Sequence, residues 1–110
     1  MRIGLIGGLD RNAPLYERMA QAQGHELLLH TGHLGGRGVK SLERLLEHSD
    51  LVVYVTEVNG HGALEVTRRL LRERGRTPLL MRKCGSSRFA QLLEAISTSA
   101  ATGQQLQFSA

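Results

Sequence analysis

The chain has 110 residues, of which 41% are hydrophobic and 22% are charged. This length fits one domain over residues 1–110, and this composition is typical of a folded globular protein rather than a disordered or fibrous one. Fourteen Lys and Arg against ten Asp and Glu give a formal net charge of +4, which favours an anionic partner.

The sequence also argues against a nucleic-acid partner, against a membrane partner and against an oxidising compartment. The basic residues lie beside glutamates on predicted helices, as in "RRLLRER" at 68–74, and aromatic residues make up only 4%, so we expect no nucleic-acid partner. No apolar run approaches the roughly 18 to 20 residues that span a bilayer, so we expect no membrane partner. A lone Cys84 cannot form an internal disulfide, and we therefore expect a cytoplasmic protein.

The first half of the chain predicts two strands and two helices. The apolar run "RIGLI" ends in a glycine pair and predicts a buried strand over 2–6. The next helix is expected to be capped by Asn12 and to end at Gly24, and "HELLLHT" predicts a second strand. A glycine-rich loop, "GHLGGRG", then leads to a helix that opens at Lys40 or Ser41. The expected inward residues are Leu15, Met19 and Ala22 in the first helix and Leu42, Leu45 and Leu46 in the second.

The second half repeats the alternation. "DLVVYVT" has five consecutive apolar residues, which predicts a central strand covered on both faces. A helix from Asn59 or Gly60 closes at Gly75, "TPLLMRK" predicts a fourth strand, and "SSRFAQLLEAIS" predicts a helix capped by Ser86 or Ser87. The third helix is expected to turn Arg68, Arg69 and Arg72 to solvent. The segment 98–110 has no strong period, and we expect a loosely ordered tail there.

Strands that alternate with helices predict an α/β fold in three layers. We expect a doubly wound, Rossmann-like parallel sheet of four strands in the order 2-1-3-4. This order puts a topological switch point between the first and third strands, where ligands bind beyond the carboxyl ends. The loops at this edge are "GGLDRN", "HTGHLGGRG", "EVNGH" and "RKCGSS".

Glycines and cations in these loops predict an anion site. Gly7 and Gly8 would let backbone amides approach a phosphate, although the full dinucleotide motif is absent. Arg11, Arg37 and Arg82 would hold anionic groups of a cofactor. A tight strand-to-helix turn explains the glycines equally well. Cys84 is expected to be an inert small residue at a strand end.

Three histidines fall in the same set of loops. His30 and His33 form an H-x-x-H in the second loop, and His61 opens the third helix. Neutral imidazole is a ligand for zinc, iron and copper, or for haem iron. Finger-like spacing for a structural zinc site is missing. A domain of this size would enclose haem with the help of a second subunit, so we expect a homodimer.

The motifs "IGLIGG", "LLLHTG", "DLVVYVTEVNGH" and "RKCGSS" resemble a bacterial family designated domain of unknown function twenty-three twenty-five. The resemblance covers nearly the whole chain and includes Tyr16, His30, His61 and the pair Ser86 and Ser87. It implies a small Rossmann-like domain with its motif residues at the carboxyl edge, and it implies haem binding in some members. Thr31 and Gly60 replace the family's usual aspartate and serine, which loosens any polar network.

These observations give one leading hypothesis and several alternatives. The leading hypothesis is a binding protein that ligates haem iron or another transition metal through His30, His61 or His33. The first alternative is a regulatory module that binds a nucleotide or phosphate without catalysis. A protein-interaction module without a small ligand is a further alternative. The least favoured alternative is an enzyme, for instance a hydrolase with His61 as its base, because no serine elbow, paired carboxylates or complete metal triad supports it.

Overall fold

A computed structural model describes residues 1–7, 13–56 and 61–102, with the backbone alone at 61 and 99–102. Four strands and four helices alternate along the chain. The strands are β1 (Arg2–Ile6), β2 (Glu26–His30), β3 (Leu51–Val55) and β4 (Leu79–Met81), and the helices are α1 (Ala13–Ala22), α2 (Gly38–His48), α3 (His61–Arg72) and α4 (Ser86–Thr102).

The strands form one parallel sheet in the order β2-β1-β3-β4. This confirms the predicted α/β, Rossmann-like topology and the strand order. β3 is apolar throughout because it is covered on both faces, and four of its five residues are buried. The parallel arrangement brings the carboxyl ends of all four strands, and the first residues of the helices that follow them, to one edge of the sheet, which we call the carboxyl edge. The opposite edge is the amino edge.

Two apolar clusters, one on each face of the sheet, define the three layers. The first packs α1 and α4 against side chains such as Ile3, Leu5 and Val53. The second packs α2 and α3 against Ile6 and Tyr54. Alternate residues of a strand point to opposite faces, so β1 and β3 contribute to both clusters. Leu42, Leu45 and Leu46 are buried as predicted.

The inward face of α1 differs from the prediction. Tyr16 and Ala20 are its buried residues, whereas Leu15 is 39% exposed and Ala22 is exposed. The stripe is rotated because the Tyr16 hydroxyl donates to the carbonyl of Cys84 at 3.0 Å, and its ring packs edge-on against Phe89 at a centroid distance of 4.8 Å. Tyr16 therefore occupies the core position that we predicted for Leu15, because its hydroxyl has a hydrogen-bond partner there.

The last helix is also longer than predicted. α4 continues to Thr102, which is inside the segment 98–110 where we expected a loosely ordered tail, and residues 103–110 lie outside the described ranges. The predicted serine caps are corrected too. Ser86 and Ser87 are already helical, and the carbonyl of Gly85 accepts the first helical hydrogen bond from the amide of Phe89 at 2.9 Å.

In the part of the chain that the structure describes, no helix is both long and apolar enough to cross a membrane.

Cys84 lies in the core and not in a reactive position. It is 5% exposed, and burial raises the pKa of its thiol to about 11 although Arg88 acts in the opposite direction. The thiol therefore stays protonated near neutral pH, which agrees with the expected inert role.

The buried thiol predicts a loss of stability at alkaline pH. Below an ordinary thiol pKa of 9.0, both the folded and the unfolded chain hold the proton of Cys84. The contribution of the buried thiol to the free energy of unfolding is therefore complete at these pH values. Between pH 9 and about 11 the unfolded chain loses its proton first, and the free energy of unfolding falls. Denaturant titrations over this interval should show a smaller fall for Cys84→Ala than for the native chain. Equal falls would mean that the thiol ionises freely in the folded protein.

Candidate functional site

Two of the four loops at the carboxyl edge are described, namely 31–37 after β2 and 82–85 after β4. The other two, 8–12 and 57–60, flank the switch point between β1 and β3 and lie outside the described ranges. The predicted site residues Gly8 and Arg11 fall in the first of them. His61 is the first residue of α3 at this edge, and its side chain also lies outside the description.

The imidazole of His30 is held by two backbone groups of its own loop. Its Nδ1 accepts a hydrogen bond from the amide of Gly32 at 2.9 Å, so the ring proton is on Nε2. Nε2 then donates to the carbonyl of Gly38 at 3.0 Å. The ring thus joins the end of β2 to the first residue of α2, and both of its nitrogens are in use.

Backbone geometry makes the same loop compact. Gly32 and Gly36 have φ values of 92° and 59°, which favour glycine. A side chain at Gly38 would meet the carbonyl group of His33, with its carbonyl carbon at 3.0 Å, so only glycine permits this close approach. The amide of Gly7 donates to the carbonyl of His30 at 2.9 Å, which ties the end of β1 to the start of the loop.

This loop presents an uncapped helix N-terminus. Arg37 is the N-cap residue of α2, and it makes no side-chain cap hydrogen bond. The amide of Ser41 makes the first helical bond to the carbonyl of Arg37 at 2.9 Å. Among the residues that the structure describes, the amides of Val39 and Lys40 have no acceptor. These donors, with the positive end of the helix dipole, are suited to an anion.

Charges are distributed unevenly between the two edges. The loops 31–37 and 82–85 contain arginine and lysine but no carboxylate. At the amino edge, Glu26 pairs with Arg2 at 3.3 Å and Glu47 with Arg74 at 3.2 Å. Asp50 there accepts a bond from the amide of Arg2 at 2.7 Å. Carboxylates are thus engaged at the amino edge, whereas the described loops of the carboxyl edge are basic.

The predicted cofactor-binding residues fall into two separate groups. Gly7 and Arg37 lie at the β1 and β2 end of the edge, whereas Arg82, Ser86 and Ser87 follow β4 and are exposed. β2 and β4 are three strand spacings apart, or about 14 Å. The structure therefore brings Arg37 close to the His30 loop and does not bring it close to Arg82.

Metal binding by the histidines stays a prediction. Within the described residues, no group of three or more His, Cys, Asp or Glu side chains is arranged to hold a metal ion. His30 would have to give up a backbone hydrogen bond to bind one. His33 is exposed, and in the described part of the chain its ring nitrogens have no hydrogen-bond partner.

The sequence pattern did not identify the residues whose backbone forms the N-terminus of α2. The sequence predicts a loop at Gly38, whereas α2 begins there, and Val39 and Lys40 contribute backbone amides, which no side-chain pattern reveals. The run "GGRGVK" held the only signal, because glycines directly before a helix allow the backbone to approach another group closely.

Replacing His30 tests its role in the loop. His30→Ala removes one acceptor and one donor, and we expect the free energy of unfolding to fall by about 1–2 kcal/mol. The amide of Gly32 should also exchange with solvent faster. The control His33→Ala removes an exposed ring and should change stability by no more than about 0.5 kcal/mol. Equal effects of the two substitutions would contradict the assigned hydrogen bonds.

Comparison with known proteins gives one family. A comparison with curated proteins found no match, and a comparison with solved structures found none either. The sequence profile of a family described as "Uncharacterized protein conserved in bacteria (DUF2325)" matches residues 2–96. This range includes all eight strand and helix starts and the whole His30 loop. The chain therefore belongs to this bacterial family, as its motifs indicated.

Proposed function

We propose that this protein is a non-catalytic module that binds a phosphate-bearing small ligand, such as a nucleotide, at the carboxyl edge beside β1 and β2. The main support for this proposal is the N-terminus of α2. Within the residues that the structure describes, the amides of Val39 and Lys40 at the N-terminus of α2 have no acceptor, Arg37 is at the cap, and the first turn has no acidic residue. Backbone donors at a helix N-terminus are a common phosphate site in folds of this class.

Two further features support an anion at this position. The His30 hydrogen bonds hold the loop in place before any ligand arrives, which lowers the entropic cost of binding. The side chains of Arg37 and Lys40 are exposed and flank the free amides, so they can neutralise a phosphate without first breaking a described ion pair.

Amide chemical shifts test this proposal directly. Titration with ATP or with inorganic pyrophosphate should shift the amide signals of Val39 and Lys40 more than those of the amino edge. The double variant R37Q/K40Q should weaken ATP binding by about tenfold or more, because two charged partners of the phosphates are lost.

A charge-matched control separates local contacts from net charge. R18Q/R44Q also removes two exposed cations, from the outer faces of α1 and α2. It should change the dissociation constant by no more than about twofold. The proposal fails if neither probe shifts these two amides, or if both double variants weaken binding equally.

A second candidate is haem or transition-metal binding in a homodimer through His33 or His61. The exposed ring of His33 supports it, as does the position of His61 at the start of α3 on the same edge. A haem between two copies of the domain would be covered on both faces, which one small domain does not achieve alone.

Haemin titration distinguishes this candidate from phosphate binding. If it is correct, haemin gives a bound-haem absorption band and a dimeric species in sedimentation. The band should be lost in His61→Ala or His33→Ala and kept in the control His48→Ala, whose exposed ring lies at the far end of α2. An unchanged haemin spectrum on adding protein would end this candidate and leave the phosphate proposal untouched.

A further inference from the structure

A cleft of about 360 Å³ lies between α3 and the start of β4. It is at the amino-edge end of these two elements, on the face that α2 and α3 cover, and so it is separate from the His30 loop. β4 is the outermost strand on this side in the described sheet, and it has only three residues, so the cleft is open at the side of the molecule. The lining residues are Arg68, Arg72, Arg76, Thr77, Pro78 and Leu80.

Three arginines form the polar part of this cleft. Arg68 and Arg72 are exposed and are one turn apart on the same side of α3, a rise of about 6 Å. Arg76 is half-buried, and its guanidinium donates to the carbonyl of Leu46 at 3.1 Å, which fixes its position. No carboxylate lines the cleft, and in the described part of the chain neither Arg68 nor Arg72 has an ion-pair partner.

The rest of the lining is suited to an apolar group. Pro78 and Leu80 are half-buried and lie on the strand side, and Thr77 adds a hydroxyl at the mouth. A volume of about 360 Å³ lies in the range of small-molecule sites, which are typically about 300–1,000 Å³. Guanidinium groups bind phosphate through paired N–H donors, and a cleft of this volume has room for a small phosphate ester.

We propose that the cleft between α3 and β4 is a second ligand site, which binds a small phosphomonoester that carries an apolar body. Arg68 and Arg72 hold the phosphate, Arg76 adds a fixed positive charge, and Pro78 and Leu80 contact the apolar body. This site is independent of the one proposed at the carboxyl edge.

Phenyl phosphate is a suitable probe because it joins a phosphate to one apolar ring. Amide signals over 68–80 should shift on titration of the native chain, and inorganic phosphate should bind at the same place several-fold more weakly. R68Q and R72Q should each raise the dissociation constant for phenyl phosphate by about tenfold or more. The amide spectrum of each variant reports at the same time that the fold is intact.

R69Q is the matched control. Arg69 is exposed and shares the last turn of α3 with Arg72, but it does not line the cleft. Its removal changes net charge and helix-end electrostatics as R72Q does, and it should leave phenyl phosphate binding within about twofold. The proposal is overturned if R69Q weakens binding as much as R72Q, if the shifts fall on 31–40 or 82–88, or if no amide responds to phenyl phosphate.

Discussion

The imidazole of His30 connects the end of β2 to the beginning of α2, and the conformation of the loop 31–37 at the carboxyl edge depends on this connection. The ring accepts a hydrogen bond from the amide of Gly32 and donates one to the carbonyl of Gly38. These two bonds hold a glycine-rich loop that would otherwise have many conformations. The closed loop fixes where α2 starts and therefore where its free amides point. A histidine that looks like a metal ligand in the sequence thus has a structural role, since both nitrogens are already occupied.

The parallel sheet gives the two edges of this small domain different chemistry. Every strand ends at the carboxyl edge, so helix N-termini gather there, and the described loops add cations without carboxylates. At the amino edge, close to the starts of β1 and β2, Glu26 pairs with the side chain of Arg2, and Asp50 accepts a hydrogen bond from the backbone amide of Arg2. The cleft beside β4 departs from this pattern, because three arginines line it and no carboxylate does.

The strands were predictable because buried strands appear in the sequence as short apolar runs, and their order was predictable because strands that alternate with helices form parallel sheets with right-handed crossovers. β3 shows this clearly, since five apolar residues in a row are typical of a strand that is covered on both faces. The inward face of α1 was not predictable in the same way. Leucine and tyrosine are adjacent at 15 and 16, and the choice between them depended on the carbonyl of Cys84, which is 68 residues away from Tyr16.

The sequence predicted where in the fold the candidate site lies, but it did not predict which groups form the site. Topology alone put the loops after β1, β2, β3 and β4 at one edge. The direction of the His30 ring depends on a loop conformation set by Gly32, Gly36 and Gly38, and no residue pattern encodes it. Arg68 and Arg72 have the sequence pattern of solvated helix residues, and the cleft beside them arises because the chain turns at Gly75 and returns through Pro78.

The protonation of the His30 ring tests the central claim most directly. Two-bond proton–nitrogen correlation spectra of the folded protein at neutral pH distinguish a protonated ring nitrogen from an unprotonated one. The account predicts a proton on Nε2 and none on Nδ1, with no change when zinc or haemin is added. A proton on Nδ1, or an Nε2 signal that shifts on metal addition, would contradict the claim that both ring nitrogens of His30 are engaged with the backbone of the loop.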